Sequence, residues 1–215
     1  TCALPIWAKI KLALTLYREA LAIERKLIRL RPDNAIAQRE LATALASLGE
    51  TERLAGNGSA ALPLFSEALK IHREIYKAFL RGNVDSAHPI LTRPFTQVIA
   101  RQDLARALLD QATMLTGRGK LQEALVLSQE ALAHTEAIFA NNVESVKRTE
   151  DTVRALGHVA DLQISLGRRA DAREPLERAL RLNRKLVSRD PTSQATRREL
   201  LGSLVQLGQL DKKDE

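Results

Sequence analysis

The sequence predicts an all-α fold, a stacked array of antiparallel helical hairpins, on three observations. First, an Ala-initiated pattern closing on Ala-Leu recurs at Ala13 (ALTLYREAL), Ala61 (ALPLFSEAL), Ala124 (ALVLSQEAL) and Ala172 (AREPLERAL), in steps of 48, 63 and 48 along the chain. The long step exceeds the period by 15, so the chain reads as four copies with one insertion. Second, the downstream halves repeat. Pro32 follows Ala13 at the same interval as Pro191 follows Ala172, and RELATALASLGE (39–50) aligns with RELLGSLVQLGQ (198–209) in the same register. Third, the apolar 45% comes from Leu, Ala, Ile and Val with only 3% aromatic residues, a composition of strong helix formers suited to helix-on-helix packing. A fixed period of this length marks units that bury their apolar faces only against neighbours.

The elements follow in order. Leu14, Tyr17, Leu21 and Ile28 stand at helical spacing and predict a helix over about 10–30. Pro32 stops it, and Asp33 or Asn34 caps the next, which runs to about Leu54 through Ile36, Leu41, Leu45 and Leu48. Gly56, Asn57, Gly58 and Ser59 form a turn with Ser59 as cap; Pro63 then sits in the first turn of a helix reaching Leu80. Residues 81–94 (RGNVDSAHPILTRP) oppose helix and hold the insertion. Its apolar His88-Pro89-Ile90-Leu91 is expected to fold back onto adjacent helices. Helices resume over about 95–116, 120–140, 145–166, 169–188 and 192–210, broken at Gly117-Arg118-Gly119, Asn141-Asn142, Gly167 and Asp190-Pro191. The Asp211–Glu215 end reads as a frayed tail.

This arrangement resembles the tetratricopeptide repeat, whose pattern carries Leu, a small residue and, twelve positions later, Ala-x3-Phe/Tyr-x2-Ala. Leu45, Leu48, Gly49, Ala61, Phe65 and Ala68 match at those spacings, and Leu108, Ala112, Ala124 and Ala131, then Leu156, Ala160, Ala172 and Ala179, repeat the match. The resemblance covers nearly the whole chain from about residue 10 to 211 and implies a right-handed α-solenoid. It also implies that Gly49, Ala112, Ala160 and Gly208 stand where helix backbones approach closely. The unit departs in length: the common one is about 34 residues, and the extra residues add about two turns per helix, which keeps each apolar face inward. Long units of this kind look like repeat regions of large bacterial proteins, some of which carry a serine/threonine kinase domain.

The resemblance implies a non-catalytic scaffold that holds a peptide or partner helix in the groove of its inner helices. The groove-facing candidates are Thr43, Ala46 and Glu50, then Arg106, Leu109 and Thr113, then Arg154, Gly157 and Asp161. Two Arg among Glu and Asp do not make the Lys/Arg/Asn clamp by which one branch of the family holds acidic C-terminal tails. Arg106 and Arg154, one period apart, are a candidate pair of anion contacts. The runner-up function is the C-terminal regulatory or docking segment of a signalling enzyme such as a bacterial serine/threonine kinase.

The formal charge is +7, and residues 168–198 alone carry ten basic against four acidic side chains. That stretch is a third candidate, for nucleic acid or an acidic partner, but no aromatic residues are interleaved for base stacking, and a solvated face is the expectation. Catalysis, metal and cofactor are not expected. Cys2 is the single cysteine, and His72, His88, His134 and His158 are scattered. Asp85, Ser86 and His88 share the insertion without a partner constellation, and no Gly-rich phosphate loop or Gly-x-Ser-x-Gly elbow occurs. No apolar run reaches the length of a membrane span, and a cytoplasmic setting is expected. Residues 1–6 (TCALPI) resemble a reading frame of a sequencing-library adapter and no initiator Met is present, so residues 1–9 are expected to be non-native or disordered, with native sequence missing upstream.

Overall fold

The computed structural model describes residues 6–82, 94–140 and 145–211. Among them are eight α-helices and no strand: α1 (Ile6–Leu30), α2 (Ala35–Leu54), α3 (Gly58–Leu80), α4 (Pro94–Thr116), α5 (Leu121–Ala140), α6 (Val146–Ser165), α7 (Arg169–Arg189) and α8 (Gln194–Asp211). They form two compact units, one running to Met114 and one from Leu115 onward. The residues assigned by sequence to the apolar insertion segment, to the Asn141-Asn142 break and to the tail beyond Asp211 lie outside the described residues.

Short-range chemistry sets the helix limits. Asn34 caps α2, its side-chain oxygen accepting from the Ile36 and Ala37 N–H groups at 3.0 Å each, which satisfies two of the four donors a helix start leaves open. α2 ends in a Schellman turn: Gly56 N–H bonds the Arg53 carbonyl at 3.0 Å and Asn57 N–H the Glu52 carbonyl at 2.8 Å. The same two bonds recur at Gly119 with Lys120 and at Gly167 with Arg168, each glycine at positive φ, which a Cβ would strain. These turns repeat in the register of the Ala pattern. α3 starts differently from the expectation. Its cap position is Asn57, one residue ahead of Gly58, so Ser59 is already helical. Asn57 gives no cap bond because its amide is turned back to the Glu52 carboxylate at 2.8 Å. Pro63 consequently stands in the second turn, exposed, and removes one helix hydrogen bond there.

In the first unit, sequential helices run antiparallel. Ser66 meets Gln111 and Tyr76 accepts from Arg101 Nε at 2.8 Å, so α3 descends as α4 rises. Helices two apart run parallel: Arg25 of α1 bonds Glu67 of α3 at 3.0 Å, and Arg39 of α2 bonds Asp103 of α4 at 2.5 Å. Leu21 of α1, Leu41, Ala42, Leu45 and Leu48 of α2 and Ala68 of α3 form one core cluster. Ala61 and Phe65 of α3 with Met114 of α4 form another. Gly49 has its reason here: a Cβ would stand 3.2 Å from the Phe65 ring. Glu52, 4% exposed, ties the α2 end to both neighbours, accepting from Arg18 of α1 at 2.7 Å and from Asn57.

The second unit has the same layout. Asn183 of α7 bonds Ser203 of α8 at 3.0 Å and Arg173 bonds Asp211 at 2.6 Å, an antiparallel pair. Arg178 of α7 pairs with Glu136 of α5, and Gln206 of α8 bonds Asp161 of α6 at 2.7 Å, the parallel ties. Ala160, Ala172, Leu176 and Leu210 form one cluster, and Val153, Leu156 and Ala179 another.

Of the residues assigned to repeat packing, Leu45, Ala61, Phe65, Ala68, Ala112, Ala124, Ala160 and Ala172 are buried. Gly208 is a correction. A Cβ there would meet nothing within 4 Å among the described residues, so the close approach seen at Gly49 is absent.

Candidate partner-binding grooves

Each unit holds a groove between its even-numbered helices, at the same register. In the first, α2 supplies Thr43, Ala46 and Glu50, α4 supplies Asp103, Arg106 and Asp110, and Phe65 and His72 of α3 form the floor, around about 440 Å³. In the second, α6 supplies Arg154, Gly157, His158 and Asp161, and α8 supplies Arg198, Glu199, Leu201, Gly202, Val205 and Gln206, around about 580 Å³.

The sequence-assigned groove residues divide accordingly. Thr43, Ala46, Glu50 and Arg106 line the first groove, and Arg154, Gly157 and Asp161 the second. Leu109, at the register of Ala46 and Gly157, lines neither of these grooves and is buried. Thr113 is exposed with its hydroxyl bonded to the Leu109 carbonyl at 2.9 Å, and it stands outside the groove wall. Arg106 and Arg154 lie in different units. Each has an aspartate one turn before it, Asp103 at 4.0 Å and Asp151 at 3.8 Å, and each keeps more than half its side chain in solvent.

Electrostatics differ between the walls. Asp103 is nearly buried beneath the Arg39 guanidinium, and Glu50 is held by Arg53 through two bonds of 2.7 Å. Burial pushes the His72 imidazole below its ordinary value, against the opposing pull of Asp103 and with Arg39 and Arg106 acting in the same direction as burial. It is therefore neutral at pH 7. Burial also lowers His158. Asp161 moves the other way: desolvation of its carboxyl raises it, although His158 and the Gln206 bond pull it down. The residue as a whole remains open to water, and solvent screens part of that effect.

Sequence reasoning missed Asp103, Asp110, His72 and Gln206. The signal was present in the repeat: an acid recurs at one register of every even helix (Glu40, Asp103, Asp151, Glu199), and a polar residue recurs at one register of every odd helix (Glu24, His72, Thr135, Asn183). His72, Thr135 and Asn183 are all buried. Part of the Arg-rich stretch is engaged within its own unit: Arg168 bonds Gln122, Arg173 bonds Asp211, Arg178 pairs with Glu136 and Glu174, and Arg197 bonds the Thr192 carbonyl. Among the described residues no three His, Cys, Asp or Glu converge as metal ligands, and no helix is long and apolar enough to cross a membrane.

The family model described as tetratricopeptide repeat matches residues 41–89 and 152–192, the second half of one copy with the first half of the next in each unit. These two stretches are tetratricopeptide repeats. Its helical hairpins are similar to crystal structures of a Podosopora anserina putative kinesin light chain with nearly identical TPR-like repeats. One of them, of a substituted form, is 21% identical, with 95% of this chain and 82% of that chain covered and a TM-score of 0.56. A second is 19% identical, covers 97% and 90%, and has a TM-score of 0.52. At these identities the likeness is one of fold. No curated protein matches the chain. Tetratricopeptide repeats generally mediate protein–protein interaction on a typically non-catalytic scaffold.

Proposed function

We propose that this repeat protein is a protein-interaction scaffold that holds an extended peptide or a partner helix in its inter-helix grooves. The observation that supports the reading is the recurrence of one groove, at one register, in both units, with a floor that carries apolar groups (Phe65; Leu176 and Ala179) beneath charged walls. A floor of that kind takes apolar anchors and the walls select the flanking polar groups. Its setting in this reading is the cytoplasm.

A displayed library of random peptides selected against the chain tests the proposal. Peptides enriched on the native protein are expected to bind at least about tenfold more weakly to Ala46→Glu or Gly157→Glu, a loss of about 1.4 kcal/mol, and unchanged to Lys77→Ala on the outer surface. Peptides whose affinity ignores both groove substitutions, or no enrichment at all, would sink it.

A further inference from the structure

One end of the second groove is lined mostly by hydrogen-bond acceptors. There α6, α7 and α8 surround a cavity of about 210 Å³ that shares Val153, Arg154 and Glu199 with the groove itself. Asn183 of α7 lines it and is 1% exposed. A neighbour fixes its amide. Ser203 Oγ gives its one hydrogen to the Glu199 carbonyl at 3.2 Å, so Asn183 donates to Ser203 through Nδ2, at 3.0 Å. Asn183 Oδ1 is then left buried with no partner among the described residues, which costs stability unless a donor meets it. Thr196 spends its hydroxyl hydrogen on the Ser193 carbonyl at 3.2 Å, so toward the cavity it can only accept. Glu150 of α6 and Glu199 of α8 add two carboxylates. Against them stands Arg154, more than half in solvent and 3.8 Å from Asp151.

The first unit shows what these positions take. At the register of Glu150, Asn183 and Glu199 it has Arg39, His72 and Asp103. There the Arg39 guanidinium bonds the Asp103 carboxylate at 2.5 Å, so the chain itself supplies a cation. In the second unit glutamate replaces that arginine, and two carboxylates stand where the first unit has an ion pair.

We propose that this cavity takes a basic side chain, arginine or lysine, of the peptide bound in the second groove, an inference that rests on the groove reading above. The charged head donates to Asn183 Oδ1 and to the Glu150 and Glu199 carboxylates, and charge-assisted bonds of that kind are the stronger ones. The aliphatic stem lies along Val153 and Leu186. The cavity adjoins the groove through shared side chains, so one short segment can set an apolar group over Leu176 and Ala179 and a basic one here. The first groove, with Arg39 already on Asp103, carries no such preference.

The test takes displayed random peptides enriched on the native chain and sorts them by their response to Gly157→Glu. Those that Gly157→Glu weakens are expected to share an arginine or lysine at one position. Replacing it by citrulline or norleucine is expected to weaken binding at least about tenfold on the native chain, and less than about twofold on Glu150→Gln/Glu199→Gln. Glu150→Arg, which restores the pairing of the first unit, is expected to weaken the basic peptides at least about tenfold. Both glutamates stand at partly or fully exposed positions, and far-UV circular dichroism with thermal melting checks that each variant folds. Peptides that depend on Gly157 but share no basic residue overturn this proposal and leave the groove reading standing. So do peptides whose basic residue can be neutralised without loss, or matters equally on the double variant. Enriched peptides that respond to Ala46→Glu alone overturn it too. No enrichment, or peptides indifferent to both groove substitutions, overturns the groove reading as well.

Discussion

The two grooves share a register and differ in chemistry. Around the first, charge is tied down: Asp103 lies under Arg39, Glu50 is clasped by Arg53, and neutral His72 sits on the floor. Around the second, Gly157 and Gly202 thin the walls, Leu201 and Val205 are exposed, and the cross-wall bond is the amide–carboxylate contact of Gln206 and Asp161. Small residues at fixed spacing determine where two helices stand, and the positions between them are free to vary. A repeat period therefore specifies a groove without specifying its ligand, and the two grooves are expected to prefer different anchors.

The largest effects test whether the two units are equivalent where they should be. Leu45→Ala and Leu156→Ala remove side chains that are fully buried at one register. Each is expected to cost about 2–5 kcal/mol, since burial is lost and a cavity remains. Denaturant titration of both variants checks this, and costs that differ by more than about 2 kcal/mol would break the equivalence.

Acid should separate the units. The Asn57 amide, with Arg18 behind it, holds the Glu52 carboxyl below the usual carboxylate range. A depressed folded value means stability that is present above the unfolded value, about 4.3, and that is lost as pH falls through the folded value. Asp161, raised by desolvation, has the opposite sign: protonation near its raised value relieves the folded state. Carbon-detected NMR titration should place Glu52 below and Asp161 above their ordinary values. Glu52→Gln should flatten the loss of stability below about pH 4, and an unaltered acid limb in that variant would refute the role assigned to it.

At milder pH the units are expected to agree. His72 and His158 are both lowered by burial, so the unfolded chain takes up their protons first. Stability should fall as pH drops below about 6.5. His72→Gln and His158→Gln should each remove part of that fall between pH 7 and 5, measured as melting temperature against pH.

The smallest contrast concerns helix starts. Asn34 caps α2 with two bonds of 3.0 Å, whereas Ser145 caps α6 with one of 3.4 Å. Asn34→Ala should cost about 1 kcal/mol and Ser145→Ala about half that, by thermal denaturation. Equal costs would mean that bond geometry at the cap is not what differs.

Much of the fold was legible because it is written at short range. Helix limits follow from Asn34, Gly56, Gly119 and Gly167, and the packing face from Ala and Leu at helical spacing. What escaped was set by neighbours. Ser59 looked like a cap until Asn57 proved to be held by Glu52. Leu109 looked groove-facing because it shares the register of Ala46 and Gly157, yet it is buried. Gly208 carries the mark of a close approach, but a glycine does not report whether a helix covers it. Of the grooves, the inner-helix positions were readable from register; the buried Asp103 and His72 were not singled out, because their partners come from other helices.

The ion pairs between odd helices have a consequence for assembly order. Arg25 faces Glu67 in the first unit, whereas at the same two positions of the second unit Glu136 faces Arg178. The polarity is reversed. Were α7 to dock directly on α1, Arg25 would meet Arg178; were α5 to precede α1, Glu136 would meet Glu19. Charge adds a bias in pairing at the two places where these ties form.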